Sequence, residues 1–195
     1  DEILMPNVSK DTKTYEDVID SAEARHEKIT APEAGETYAL GEAEFTIIAP
    51  NMSDYENTND YSIALLLTHG ENKFLFAGDA EEESEEEMLN GAADLEADVY
   101  KVSHHGSRTA TTEEFLQEVE PEYAVISCGE GNSYGHPHVE VLERLQEEDV
   151  EIFRTDEQGT IVAVSDGTSI RWNMPALEEE AGEPKEVAAS DKEQA

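Results

Sequence analysis

The sequence predicts a layered α/β domain, because short apolar segments typical of strands alternate with amphipathic segments typical of helices. Two predicted strands, over residues 73–77 and 99–102, are apolar and end abruptly in polar residues. The clearest helix is predicted over residues 138–147, where apolar residues recur every three or four positions. At 195 residues the chain is long enough for one domain with a substantial core.

Each element is assigned from its local pattern. Residues 14–26 have the apolar spacing of a helix, and residues 62–77 form a hairpin whose turn contains Gly70. The helix over 112–119 begins at a threonine, a favourable N-cap residue. The predicted strands are 3–6, 38–40, 45–49, 62–68, 73–77, 99–102, 123–127, 152–153, 160–164 and 169–172, and the predicted helices are 14–26, 81–90, 112–119 and 138–147.

The end of the chain differs in composition from the rest. Residues 175–195 are mostly Glu, Ala and Lys, with almost nothing to bury. We therefore expect residues 1–174 to form the domain and residues 175–195 to be a disordered acidic tail. The single cysteine, Cys128, excludes an internal disulfide and a cysteine-rich zinc site.

The net charge restricts the possible partners. The chain has 48 acidic and 12 basic side chains, which give a formal charge of −36. Such a surface repels polyanions, and non-specific binding to duplex DNA needs Lys and Arg against the phosphates. The charge therefore disfavours duplex DNA as a non-specific partner. The acidic runs at 81–83 and 85–87 are interpreted as a solvated helix face.

Side chains able to bind a metal follow two of the predicted strands. Asp79 follows the strand over 73–77, and His104 and His105 follow the strand over 99–102. A carboxylate and imidazoles that meet at one sheet edge can form a hydrolytic metal site. The alternatives are that Asp79 caps the next helix and that the histidines are ordinary loop residues. If the strand persists, at most one of the two histidines continues inward.

A third loop, over residues 132–138, also follows a strand and contains His136. A histidine there could bind a metal, stabilise developing negative charge or protonate a leaving oxygen. It could equally be a loop residue beside Pro137, which would begin the next helix. Gly106 allows the backbone to turn close to a ligand. Ser107 could cap the next helix or support the site by hydrogen bonds.

These motifs together resemble one family. The stretch from about 59 to 161 closely resembles the C-terminal half of the metallo-β-lactamase domain of ComEC-type competence (DNA-uptake) proteins. The blocks that carry the resemblance are Asn59-Asp60-Tyr61-Ser62, Phe76-Ala77-Gly78-Asp79, Lys101-Val102-Ser103-His104-His105-Gly106-Ser107, Pro121-Glu122-Tyr123-Ala124-Val125-Ile126-Ser127, Asn132-Ser133-Tyr134-Gly135-His136-Pro137 and Arg154-Thr155-Asp156-Glu157-Gln158-Gly159.

The resemblance implies a four-layer αββα sandwich with two divalent metal ions, Zn²⁺ or Mn²⁺, at one sheet edge. In this family pattern Asp79 matches the bridging carboxylate, and His104, in preference to His105, matches a terminal metal ligand. His136 and His105 are the expected catalytic residues near the substrate. The residues expected to support the site are Gly78, Gly106, Ser107, Asn59 and Ser62.

One part of the family pattern is absent from the sequence. The first ligand cluster of the family, His-x-His-x-Asp-His, precedes these blocks, and no such motif occurs in the chain. We therefore expect a domain that is incomplete at its N-terminus and supplies only part of a dinuclear site. A truncated or catalytically inactive domain that binds a partner is the alternative.

The resemblance also implies an activity. It favours a hydrolase that attacks phosphodiester bonds with a metal-bound hydroxide, and a phosphoester or single-stranded nucleic acid as its substrate. A lactone or lactam hydrolase on the same fold is a further alternative, because fold alone does not fix function. Relatives of this type favour an extracellular or membrane-tethered location, and the chain has no apolar run long enough to cross a bilayer.

Overall fold

The computed structural model describes residues 2–177, which form a mixed α/β structure around one large sheet. Its strands are β1 (Glu2–Leu4), β2 (Lys28–Thr30), β3 (Thr37–Leu40), β4 (Ala43–Ala49), β5 (Ala64–His69), β6 (Asn72–Phe76), β7 (Val99–Lys101), β8 (Tyr123–Ile126), β9 (Glu151–Arg154), β10 (Ala163–Ser165) and β11 (Ile170–Trp172). Its helices are α1 (Lys13–Arg25), α2 (Glu82–Asn90), α3 (Glu113–Val119), α4 (Val139–Glu147) and α5 (Thr155–Gln158), with 3₁₀ turns at Thr58–Tyr61 and Ser103–Gly106.

The large sheet contains seven strands in the order β3-β4-β5-β6-β7-β8-β9. Its first four strands are antiparallel neighbours, whereas β6, β7, β8 and β9 run parallel. The carboxyl ends of these four parallel strands therefore meet at one edge, where sites in α/β proteins commonly form. The loop after each of them carries one of the sequence blocks described above.

Helices α2, α3 and α4 cover one face of the sheet. Met88, Phe115 and Leu142 from these helices share a buried apolar cluster with Leu75 and Tyr100 from β6 and β7. The rings of Tyr100 and Phe115 lie 6.0 Å apart in an edge-to-face arrangement. This packing anchors the strands whose carboxyl ends carry the candidate site, because dense apolar packing allows little movement.

Residues 2–177 cover only part of the opposite face of the sheet. The β10–β11 hairpin packs there through Trp172, whose ring stacks on Phe153 with the centroids 4.1 Å apart. Further along the same sheet Leu40 and Phe76 are 58% and 39% exposed. The expected layered α/β class is confirmed, as a mixed structure with one large sheet that is consistent with a metallo-β-lactamase fold.

Two short elements lie outside the sequence predictions. β2 pairs in parallel with β1, and α5 follows β9 directly. Each has three or four residues, which is too few to establish a period in the sequence.

The predicted boundary of the acidic tail lies within the described chain. The backbone N–H of Leu177 donates to the carbonyl of Ile152 at 2.9 Å, and Gln158 Nε2 donates to the carbonyl of Pro175 at 2.9 Å. These hydrogen bonds join residues 175 and 177 to α5 and β9, and the boundary between domain and tail stays a prediction. The rest of the predicted tail, residues 178–195, lies outside the described residues. None of the helices within residues 2–177 is long and apolar enough to cross a membrane.

The hairpin turn between β10 and β11 yields a prediction of pH dependence. Hydrogen bonds from the backbone N–H groups of Ser169 and Thr168 lower the pKa of Asp166 to about 2, against an ordinary value of 3.8. Because the folded pKa is the lower one, ionised Asp166 stabilises the folded turn above about pH 4, and this stabilisation is lost as the pH falls through about 2. We expect its carboxyl carbon resonance to titrate near pH 2, with Asp166→Asn to assign the signal. A midpoint near pH 4 would contradict the turn geometry.

Candidate metal centre

Three loops at the carboxyl edge of the sheet bring the predicted site residues together. The His104 ring lies 5.6 Å from the His136 ring and 6.3 Å from the His105 ring, measured between centroids. The rings of His105 and His136 are 6.3 Å apart. His105 in turn faces Asp79, whose Oδ1 lies 3.4 Å from Nε2. The four side chains that the sequence singles out therefore form one cluster.

The loop after β6 is shaped to present Asp79. Gly78 has φ +60°, and a Cβ there would lie 3.1 Å from both Cβ and Oγ of Ser62. The Ser62 hydroxyl accepts a hydrogen bond from the backbone N–H of Asp79 at 3.1 Å. The carbonyl of Gly78 accepts from the backbone N–H of His104 at 3.0 Å, which ties this loop to the next. The Asp79 side chain itself stays 45% exposed and free to meet a ligand.

Both histidines after β7 have left-handed backbone conformations. φ is 45° at His104 and 58° at His105, and each such non-glycine residue costs roughly 1–2 kcal/mol. The strand ends at Lys101, before the pair, so the alternation of a strand does not apply. Both rings therefore reach the same cluster. Backbone strain of this kind is concentrated at functional sites.

The protonation of the His105 ring follows from its hydrogen bond. Nδ1 lies 2.6 Å from the carbonyl oxygen of Ser127, and a carbonyl can only accept, so Nδ1 carries the proton. In the neutral ring Nε2 then has the free lone pair, and it faces Asp79. Ligands about 2.0–2.1 Å from a tetrahedral zinc ion lie roughly 3.4 Å apart. The observed 3.4 Å between His105 Nε2 and Asp79 Oδ1 matches that separation.

His104 faces a different carboxylate. Its Nδ1 is buried, lies 3.3 Å from Glu81 Oε1, and has no hydrogen-bond partner of acceptable geometry among residues 2–177. Glu81 Oε1 already accepts from Asn59 Nδ2 at 2.7 Å. Burial acts to raise the pKa of Glu81, but hydrogen bonds from Asn59, Thr109 and Asn57 outweigh it and hold the pKa below its ordinary value. An ionised carboxylate and an unpartnered imidazole nitrogen thus form a second pair of possible ligands.

The third loop holds His136 from both sides. Asn132 Oδ1 accepts from the backbone N–H of His136 at 3.0 Å, and Asn132 Nδ2 donates to its carbonyl at 2.6 Å. The ring stacks on Tyr134, with centroids 5.7 Å apart, and meets His138 edge-on at 4.8 Å. Burial, and then the neighbouring His138, His104 and His105, lower the pKa of His136.

Gly106 joins the second and third loops. It has φ +81°, and a Cβ there would lie 2.7 Å from Cβ of Pro137, closer than two carbon atoms can approach. Its carbonyl accepts from the backbone N–H of His138 at 2.9 Å. Ser107 is buried, and its hydroxyl lies 2.9 Å from the hydroxyl of Thr109. Any side chain at position 106 would push the His136 loop away from the histidine pair.

A buried network of hydrogen bonds connects helix α2 to the loop that carries His104 and His105. The carboxylate of Glu85 accepts from the backbone N–H groups of Thr111 at 2.6 Å and Thr112 at 2.8 Å. The Thr111 hydroxyl lies 3.1 Å from the Tyr100 hydroxyl, which is 2.6 Å from the hydroxyl of Ser103. Ser103 is the residue before the histidine pair, so the network reaches from α2 to the site.

This network corrects the interpretation of the acidic run. Glu85 is 0% exposed and Glu81 contacts His104, so the runs at 81–83 and 85–87 are not simply a solvated face. Burial raises the pKa of Glu85, although its backbone hydrogen bonds oppose that effect. The sequence offered one indication that Glu81 lies at the site, which is its position two residues after Asp79 at the start of α2.

The side chains of the site are suitable ligands for a divalent metal, and they are arranged as two carboxylate–imidazole pairs. Carboxylate oxygens and imidazole nitrogens are ligands of Zn²⁺ and Mn²⁺. The unpartnered Nδ1 of His104 and the free Nε2 of His105 both face carboxylates. Within residues 2–177, however, no group of three or more His, Cys, Asp or Glu side chains could hold a metal ion alone. The described residues therefore fit a partial ligand set.

Comparison with known proteins identifies the superfamily of the chain. Residues 9–130 match the family model described as the metallo-beta-lactamase superfamily. The chain is 38% identical over 140 residues to ComE operon protein 3 of Bacillus subtilis, covering 71% of the chain and 18% of that protein. It is 38% identical over 101 residues to Recombination protein 2 of Haemophilus influenzae, covering 52% and 13%.

A third relative is Competence protein ComA of Neisseria gonorrhoeae, 32% identical over 119 residues that cover 60% of the chain and 17% of that protein. The chain thus spans less than a fifth of the length of each of these relatives. Two of the three are named as competence or ComE proteins, as the sequence blocks predict. The chain therefore belongs to the metallo-β-lactamase superfamily, and its similarity to these proteins supports the ComEC-type resemblance.

Proposed function

We propose that this chain contributes part of the active site of a divalent metal-dependent hydrolase that cleaves phosphodiester bonds. The observation that carries the proposal is the pairing of His105 Nε2 with Asp79 Oδ1 at 3.4 Å. Ser127 fixes the tautomer of His105 that leaves this nitrogen free, which is a common arrangement behind metal-binding histidines. The strained backbone at both histidines supports the same conclusion.

Asp79 with His105, and Glu81 with His104, would contribute ligands to the metal centre. When bound, a divalent metal lowers the pKa of a water ligand and stabilises negative charge on the attacked group. His136, which borders both histidines, would donate a proton or a hydrogen bond to the leaving oxygen. Further ligands must come from outside the described residues, since these contain no complete set.

The substrate is proposed from the relatives and the charge. The names of the three relatives refer to a ComE operon, to recombination and to competence, which favours a nucleic acid or a product of its breakdown. A net charge of −36 disfavours long duplex DNA because the surface lacks the basic residues that neutralise phosphates. We therefore propose single-stranded nucleic acid or a small phosphodiester as the substrate, and an extracellular or membrane-tethered setting.

A non-catalytic binding domain is the second candidate, and the lack of a three-ligand group within residues 2–177 favours it. The discriminating experiment compares this chain with a longer one that extends upstream of Asp1 through any His-x-His-x-Asp-His cluster in the reading frame. Both are assayed with Zn²⁺ or Mn²⁺ on bis-p-nitrophenyl phosphate, a single-stranded oligonucleotide and a cephalosporin.

We expect the longer chain to hydrolyse the two phosphodiesters and to leave the cephalosporin intact. Hydrolysis of the cephalosporin alone would replace the proposal with a lactam hydrolase. A longer chain that hydrolyses none of the three, or a reading frame without the cluster, would favour the binding domain. EDTA should abolish phosphodiester hydrolysis, and added metal should restore it.

A further inference from the structure

Lys101 lies at the end of β7, next to the candidate site, and has an unusual set of neighbours for a basic side chain. It is the last residue of β7, and its neighbour Tyr100 packs against Phe115 on the helical side of the sheet. Because successive residues of a strand alternate, Lys101 lies on the opposite face. Its side chain is partly buried, which lowers the pKa of the ammonium, while the charge of Asp79 acts in the other direction.

The ammonium of Lys101 has few partners. Within the described part of the chain Nζ donates one hydrogen bond, to the carbonyl of Val102 at 2.8 Å, although an ammonium has three donors. Among residues 2–177 no carboxylate lies within ion-pair distance of it. This is unexpected in a chain with 48 acidic and 12 basic side chains.

The other basic residues of the neighbouring loops are neutralised. Arg108 pairs with Glu140 at 3.1 Å, and Arg154 pairs with Asp156 at 2.7 Å. Unlike Arg108 and Arg154, Lys101 has no carboxylate partner among residues 2–177, so its positive charge is available to a ligand. A partly buried ammonium with donors that no carboxylate takes up can bind an anion through charge-assisted hydrogen bonds.

We propose that Lys101 binds a non-bridging oxygen of the phosphoryl group of the substrate, beside Asp79 at the carboxyl edge of the sheet. This inference rests on the proposed phosphodiesterase function and names the residue that selects for an anionic substrate. A hydrogen bond from an ammonium to a phosphate oxygen is charge-assisted and is stronger than a neutral one. Lys101 thus distinguishes a phosphodiester from an uncharged ester or lactone of similar size.

The experiment substitutes Lys101→Met, which keeps the length of the side chain and removes its charge, and Lys101→Arg, which keeps the charge. In the longer, metal-loaded chain we expect Lys101→Met to raise KM for bis-p-nitrophenyl phosphate about tenfold and to change kcat less than about threefold, since one charge-assisted hydrogen bond is lost from substrate binding. The inhibition constant of inorganic phosphate should rise by a similar factor. Lys101→Arg should recover most of the affinity.

Lys73→Met is the matched control, because Lys73 lies near the other end of β6, in ion pairs with Asp94 and Glu96. It should leave KM and the phosphate inhibition constant unchanged. Loss of kcat and metal content in Lys101→Met with KM unchanged would overturn the proposal, because Lys101 would then position Asp79. An unchanged KM and phosphate inhibition constant would overturn it as well.

A second arm does not depend on hydrolysis. Inorganic phosphate is titrated into the 195-residue chain while the Lys101 side-chain ε resonances are followed by NMR. Saturable shifts of the Lys101 resonances that clearly exceed those of Lys73 support the anion site even if the longer chain hydrolyses no phosphodiester, in which case the proposed function alone fails. Equal shifts in Lys73 and Lys101 indicate non-specific attraction and overturn the inference.

Discussion

Replacing Asp79 with alanine is expected to abolish metal-dependent hydrolysis while leaving the fold intact. The carboxylate is exposed, and the hydrogen bond to the Ser62 hydroxyl comes from the backbone N–H of Asp79. Alanine keeps that N–H, so we expect the loop to keep its shape. Residues that hydrogen-bond to metal ligands typically contribute roughly 10–100-fold to metal affinity or activity, and a ligand itself should contribute more. We therefore expect kcat/KM to fall by more than about 100-fold. The measurement is hydrolysis of bis-p-nitrophenyl phosphate by the longer chain, with circular dichroism to confirm folding.

Asp17→Ala is the matched control, because Asp17 lies on α1 in an exposed ion pair with Lys13. It removes one negative charge of the same kind away from the site and should change kcat/KM less than about twofold, as expected for a surface pair. If Asp79→Ala retained activity within tenfold of the wild type, Asp79 would not be a metal ligand and the proposed site would be wrong.

The second large effect is on stability. Glu85→Ala should lower the free energy of unfolding by about 3–5 kcal/mol, because it leaves the N–H groups of Thr111 and Thr112 without their acceptor and opens a cavity beside Tyr100. Glu85→Gln, which keeps the size and one acceptor oxygen, should cost less than Glu85→Ala. Urea unfolding followed by circular dichroism measures both.

Glu86→Ala is the control on the same helix, since Glu86 is exposed and its side chain has no part in the network. We expect it to change stability by less than about 0.5 kcal/mol, as surface substitutions usually do. Should Glu85→Ala be too unstable to purify, the comparison of Glu85→Gln with Glu86→Gln carries the test. Equal stability of these two variants would show that the buried carboxylate does not hold the loop.

Much of the fold was predictable because its elements have strong local signals. Amphipathic spacing predicts α1 and α4, and the apolar segments that end in polar residues predict β6 and β7. The order of the strands in the sheet was not predictable, since it depends on pairing between distant segments. The three-residue strands β1 and β2 pair with each other after the chain reverses direction through α1. No local pattern indicates this pairing.

The sequence also predicted which residues gather at the site, but not how they pair. Adjacent strand residues would point to opposite faces, so sequence reasoning favoured one histidine as the ligand. The left-handed backbone at His104 and His105 removes that constraint, and it is invisible in the sequence because neither residue is glycine. The choice of His104 over His105 as a metal ligand stays a prediction, which His104→Ala and His105→Ala can separate by metal content.

The roles of Glu81, Glu85 and Lys101 could not be predicted for a different reason. Each lies among charged or polar neighbours that are usually solvated. The packing shows that Glu85 is buried and that Lys101 has no carboxylate partner within residues 2–177. The long-range hydrogen bonds of Glu85 to Thr111 and Thr112 join segments 26 and 27 residues apart. Such contacts arise from the tertiary fold and leave no local pattern.

The measurement that tests the central claim most directly is divalent metal content, by elemental analysis after dialysis. It compares the 195-residue chain, a longer chain that includes an upstream His-x-His-x-Asp-His cluster, and Asp79→Ala in that longer chain. We expect about two metal ions per longer chain, weak binding of less than one ion to the 195-residue chain, and a clear loss in Asp79→Ala. A longer chain that binds no metal, or an Asp79→Ala variant that keeps its full complement, would contradict the assignment of this sheet edge as a metal centre.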